Sequence, residues 1–191
     1  MRVLGIDPGS RFMGYGVVEE RRGRLIHVGH GVIKVDASAP LELRLKELHG
    51  ALVTAVKLYR PQAVAVEGVF TFRNARSALI LGHARGVALL AAAQAGLPVH
   101  EYPPARVKRS VGAGGAGEKD AVARMVCTFL EIEILERADA SDALAVAICH
   151  LNQGRAAVPV SGGRASKTRR KSAQGQLADR LAPSYRRPEA R

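Results

Sequence analysis

The chain of 191 residues holds only two cysteines, Cys127 and Cys149, and sets 17 acidic side chains against 29 basic ones. The two thiols lie in apolar helical patterns and match neither a metal spacing nor a disulfide framework, so they read as core thiols of a reducing compartment. Asp7 comes before a signal-like apolar region could form, and no apolar run looks long enough to span a bilayer. No internal repeat is visible. The expectation is a cytoplasmic protein with no membrane partner. The shortage of acid leaves a net charge of +12 and a pI near 10.5. That balance favours a polyanionic partner, with nucleic acid ahead of an anionic membrane. The charge is unevenly spread: residues 155–191 carry ten Lys and Arg against two Asp and Glu, with no apolar periodicity. They read as a basic, disordered tail following one domain of residues 1–154.

What the chain does hold is 47% hydrophobic residues, ample for a core. The first ten residues organise the rest. Val3, Leu4 and Ile6 form a short apolar run that ends in Asp7 and then Pro8-Gly9, which reads as a buried strand with an acid at its tip. Asp7 taken alone could simply open an Asp-Pro-Gly turn. Phe12–Val18 and Leu25–Val35 read as two further strands around a polar turn, Glu19–Arg24, giving an antiparallel meander. Pro40 opens a helix whose stripe includes Leu41, Leu43, Leu45, Leu48, Leu52, Val53 and Val56. Ala63–Val66 is a short strand that Glu67 ends as Asp7 ended the first. Ser77–Ala95 reads as a long helix, Pro98–Tyr102 as a fifth strand, and Pro103–Arg109, Glu118–Leu130 and Asp139–Leu151 as helices. The order predicts a mixed α/β sheet of five strands with helices on both faces.

Asp139 and Asp142 stand at i, i+3 and so share one face of a helix start. Acids in a first turn are favoured by the helix dipole, and Asp139 alone could be an N-cap. The Ala-rich run after Asp142 argues for a helix packed tightly on the sheet, its acidic start held near the strand ends. Four carboxylates converging on one spot repel one another and become tolerable once cations enter. Mg²⁺ takes oxygen ligands, and two such ions suit phosphodiester hydrolysis. Phe70 and Phe72 lie in a loop with Arg73 and Arg76, a composition suited to stacking on unpaired bases. Phe70 could instead anchor its loop in the core, and Phe72 is open between stacking and packing.

These residues resemble the RuvC family of bacterial Holliday junction resolvases, which have a ribonuclease-H-like fold. The resemblance rests on Leu4-Gly-Ile-Asp-Pro-Gly-Ser10 with Gly14-Tyr-Gly16, Val66-Glu-Gly-Val-Phe70 with Asn74, and Ser77-Ala-Leu79. It continues through Leu81-Gly82, Ala84-Arg-Gly-Val87, Glu101-Tyr102, Val107-Lys108, Glu118-Lys119 and Asp139-Ala-Ser-Asp-Ala-Leu-Ala145. It runs in order over roughly residues 1–150. Gly68 departs from members that carry Gln there, and the basic tail is longer than the pattern needs. The resemblance implies that Asp7, Glu67, Asp139 and Asp142 are the catalytic, metal-holding acids, with two Mg²⁺ per site and Mn²⁺ as a substitute. It implies that Lys108 and Lys119 lie near the cut DNA backbone and that Phe70 stacks on a base at the junction centre; Lys119 could also be a solvated first-turn lysine. A homodimer built on the helix carrying Gly82-His-Ala-Arg-Gly86, four-way junction DNA as substrate, and partnership with the RuvA–RuvB complex are implied as well.

Three other functions share some of these features. An actin-like ATPase or sugar kinase shares Gly5-Ile-Asp-Pro-Gly9 but needs a longer chain. A ribosomal-RNA processing nuclease shares the fold and first acid, and a binding module could recognise branched DNA without cutting it.

Overall fold

The computed structural model describes residues 1–68, 74–113, 120–133 and 137–156, with residues 154–156 described by backbone alone. Within the compact unit Met1–Ala157 lie five strands: β1 (Arg2–Asp7), β2 (Phe12–Arg21), β3 (Arg24–Lys34), β4 (Ala63–Glu67) and β5 (Val99–Tyr102). The described helices are α1 (Leu41–Tyr59), α2 (Ala75–Gln94), α3 (Pro104–Ser110), α4 (Ala121–Leu130) and α5 (Ala138–Ala156). The sheet runs β3-β2-β1-β4-β5. The first three strands are antiparallel, whereas β1, β4 and β5 are parallel neighbours. The mixed five-stranded sheet expected from the sequence is therefore present.

Burial follows from the position of each strand. β4 is flanked on both sides, and Ala63, Val64, Ala65 and Val66 are fully buried. Side chains alternate along a strand, so a central strand must be apolar on both faces. Leu4, Ile6, Met13, Val17, Val64 and Val66 meet α1 and α2 through Leu48, Leu52, Ala84 and Ala88 on one face. Val3, Val18, Ala65 and Tyr102 meet α3, α4 and α5 on the other. Cys127 and Cys149 are free and buried, as core thiols should be.

Several details differ from expectation. β2 continues to Arg21, so the β2–β3 turn shrinks to Arg22-Gly23, both with positive φ (49° and 80°). That backbone is the two-residue hairpin whose twist matches its strands. In α1, Leu48 and Leu52 are buried, but Leu43 is 53% exposed. Leu43 lies five residues before Leu48, about 140° around the helix and off the stripe. α2 starts at Ala75, capped by Asn74, whose Oδ1 accepts from the Arg76 N–H at 2.9 Å. It is also long and apolar enough by length and composition to cross a membrane, contrary to expectation, yet here Ala84, Ala88, Ala91 and Ala92 bury against the core. α5 begins one residue before Asp139 and runs to Ala156, two residues past the expected domain limit. The tail expected from residue 155 otherwise lies outside the described residues.

Candidate active site

Three glycines bring α5 onto the sheet. Gly5 and Gly16 are cross-strand partners, and Gly14 pairs with Asp7. A Cβ on Gly5 would stand 2.0 Å from the Ala143 carbonyl oxygen, and one on Gly16 would stand 2.7 Å from the Leu144 nitrogen. A Cβ on Gly14 would stand 1.9 Å from the Asp139 carbonyl oxygen. The helix backbone thus lies directly on the strand backbones, which only residues without a Cβ allow. The dense contact expected from the Ala-rich run is met from the strand side.

This packing sets the acids. Val3, Gly5 and Asp7 share a face of β1, and Ala65 and Glu67 share the same face of β4, because Gly5 pairs with Ala65 in parallel register. Asp7 and Glu67 therefore end neighbouring parallel strands on the side covered by α5. The Asp139 carbonyl over Gly14 fixes the start of α5 beside Asp7. All four carboxyls are partly buried. Asp139 is the second residue of the helix rather than its N-cap.

The electrostatics reflect that convergence. Burial first, then the charges of Glu67 and Asp142, a hydrogen bond with Glu67 and the charge of Asp139 push the Asp7 carboxyl up to about 8. Burial, with the charges of Glu67 and Asp139, raises Asp142 to about 6, against a smaller opposing pull from Lys108. Burial also raises Glu67, offset in part by its hydrogen bond with Asp7 and by Lys108. Lys108, exposed near the end of α3, is a basic residue close enough to act on Glu67 and Asp142. Like charges crowded in a poorly solvated pocket hold protons until a cation replaces them.

The donor set is all oxygen and fits a hard divalent ion. Among the described residues, no three His, Cys, Asp or Glu side chains form a ready-made metal cage. Mg²⁺ keeps several waters and commonly uses one or two carboxylates together with substrate phosphates, so an open cluster matches its habit better than a closed one.

Arg76 lies exposed in the first turn of α2. Phe70, Phe72, Arg73 and Lys119, expected to contact DNA, lie outside the described residues. Sequence reading missed Arg137 and Phe12. The Arg137 guanidinium stacks 4.0 Å from the Phe12 ring centroid, while its Nη2 and Nε donate to Asp139 Oδ2 at 3.3 and 3.4 Å. Arg137 sits two residues before Asp139, a spacing that could have drawn attention to it.

A mixed sheet with acids at the tips of two adjacent parallel strands and at the start of the helix crossing them defines a metal-dependent nuclease of ribonuclease-H-like fold. Residues 3–150 match the family model "Crossover junction endodeoxyribonuclease RuvC". The RuvC of Myxococcus xanthus is 76% identical over 193 residues, spanning 100% of both chains. That of Pelobacter propionicus is 51% identical over 152 residues, covering 80% of this chain and 86% of its own. The solved structure of T. thermophilus RuvC in complex with Holliday junction substrate is 35% identical, with a TM-score of 0.77, and covers 82% of this chain and 96% of that one. The chain belongs to the RuvC family of crossover junction endodeoxyribonucleases. That membership displaces the ATPase, sugar-kinase and RNA-processing readings.

Proposed function

We propose that this chain resolves four-way DNA junctions by cutting two opposed strands, with Asp7, Glu67, Asp139 and Asp142 as its catalytic acids. The observation that carries this reading is geometric: Asp7 and Glu67 end neighbouring parallel strands, and the start of α5, with Asp139, is seated on Gly14 beside Asp7. Such a cluster suits Mg²⁺, with Mn²⁺ as substitute, and Asp7, Glu67, Asp139 and Asp142 would hold two ions per site. Bound there, the ions would supply an activated water and charge stabilisation at the leaving oxygen. The chain's own part is geometric: the strand tips and the glycine-seated helix hold the acids rigidly, and Lys108 offers a positive charge beside Glu67 and Asp142. The products would carry 5′-phosphate and 3′-hydroxyl ends.

Paired cutting needs two sites, and a homodimer through α2 would provide them. Leu79 and Leu90 on that helix are 65% and 51% exposed, and among the described residues nothing lies within 4 Å of a Cβ placed on Gly82 or Gly86. That leaves an open stretch of helix, with Leu79, Gly82, His83, Gly86 and Leu90 exposed, able to receive a second copy. In the same reading, Phe70, Phe72, Arg73, Arg76 and Lys119 contact the DNA, RuvA–RuvB acts as partner, residues 155–191 form a basic arm, and the setting is cytoplasmic. The test is to incubate the protein with a mobile four-way junction and a matched duplex in Mg²⁺ and to map the ends. Symmetrically paired, metal-dependent nicks in the junction are expected. Equal cutting of plain duplex, or binding of the junction without any nick, would overturn the reading.

A further inference from the structure

Arg137 joins Phe12 to one of the four acids at the start of α5. It stands on the segment entering α5, its side chain 47% exposed, with Asp139 30% exposed beside it. One face of the guanidinium lies on Phe12, whose backbone begins β2 just after the Asp7-Pro8-Gly9 turn. Both of its hydrogen bonds among the described residues go to the same oxygen, Asp139 Oδ2, and at 3.3 and 3.4 Å both are long. A guanidinium carries five N–H donors in a flat fork suited to carboxylate or phosphate. Here it spends two of them weakly on one oxygen of a carboxylate.

We propose that Arg137 is a phosphate-contacting residue of the junction nuclease, held on Phe12 and exchanging Asp139 for a phosphate of the bound strand. The inference rests on the reading of Asp139 as a site acid. While the site holds no cation, Arg137 neutralises Asp139. A divalent ion drawing on the same carboxylate competes with Arg137, and the released fork stays at the mouth of the site because the ring of Phe12 still supports it. The two events are coupled: whatever charge satisfies Asp139 frees Arg137 for DNA. Bidentate Arg–phosphate pairs are among the stronger charge-assisted contacts, so the exchange gives Arg137 a better partner than a single oxygen.

The experiment uses the full chain carrying Arg137→Gln, Arg137→Lys or Asp139→Asn, each first checked by thermal melting. Mn²⁺ binding is titrated without DNA, and junction affinity is measured against salt in Ca²⁺. Arg137→Gln removes the competitor and is expected to bind Mn²⁺ about threefold to tenfold more tightly. The same variant is expected to bind the junction about fivefold to tenfold more weakly, with a log–log salt slope smaller by roughly 0.9 for the lost contact. Arg137→Lys keeps the charge without the fork, so it should recover the slope but only part of the affinity. Unchanged Mn²⁺ affinity together with an unchanged salt slope in Arg137→Gln would overturn the proposal. Asp139→Asn separates the two readings. If it still cuts at full rate, the assignment of the site acids fails, whereas lost cutting beside an inert Arg137→Gln leaves those acids standing and removes only Arg137.

Discussion

At the residue scale the proposed function turns on four carboxyls that oppose one another. Asp7→Asn, Glu67→Gln, Asp139→Asn and Asp142→Asn each remove one ligand charge and leave the basic surface alone. Each is expected to slow junction cutting by about 10³-fold or more, since metal-based charge stabilisation is worth several kcal/mol. Junction affinity should stay within about threefold, as read by gel shift beside single-turnover cleavage. An Asp142→Asn protein that cuts normally would remove that residue from the site. The raised carboxyls also predict a pH profile. A cation must displace the protons held by Asp142, raised to about 6, and Asp7, raised to about 8. Cutting should therefore climb between pH 5 and pH 8, and the profile should move to lower pH as Mg²⁺ is increased. A flat rate across that interval would mean that the cluster does not have to ionise in order to work.

At the element scale the glycine-seated contact between α5 and the β1–β2 pair sets the geometry. Gly14→Ala puts a methyl 1.9 Å from the Asp139 carbonyl oxygen, so the helix start must move away from Asp7. The expected stability loss is about 1–3 kcal/mol, the usual range for overpacking. Cutting should fall by at least about 10²-fold, because small displacements of a catalytic constellation are costly. Melts and rates measured on the same preparation check this, and a rate that falls no further than stability explains would contradict it. This contact also marks how much the sequence disclosed. The acid-tipped strands, the Asp139/Asp142 spacing and the helix order are local patterns, and they were legible. The role of Gly5, Gly14 and Gly16 as the bed of α5 was not, because it needs the β1–β2 register and a helix more than 120 residues further on. The Arg137–Phe12–Asp139 contact was hidden for the same reason: Phe12 begins β2, and only the closed sheet places it under Arg137. The Leu43 position on α1 was misread because a broad leucine stripe does not say which edge of it meets the sheet.

At the scale of the whole molecule, assembly and stability follow from these arrangements. A Cβ at position 86 meets nothing within 4 Å among the described residues, so Gly86→Arg should fold yet sediment as a monomer and lose paired cutting, if α2 is the dimer face. A dimeric Gly86→Arg protein would place the second copy elsewhere. The central claim is that four carboxyls form one cation site, and the melting temperature reports it. For Asp7, the folded value of about 8 lies above the ordinary 3.8, so the folded state binds more protons between those limits. Stability must then fall as pH rises through that window, and the loss is complete above it. Asp142 acts in the same sense between 3.8 and about 6. The most direct measurement is the melting temperature of the wild type and Asp7→Asn from pH 5 to pH 8.5, with EDTA and with Mg²⁺. The wild type in EDTA should lose about 5–10 °C relative to Asp7→Asn across the range, a difference of a few kcal/mol in a protein of this size. Mg²⁺ should recover that loss in the wild type and not in Asp7→Asn. Parallel pH curves for the two proteins, with no recovery by Mg²⁺, would contradict a single cation site built from these four acids.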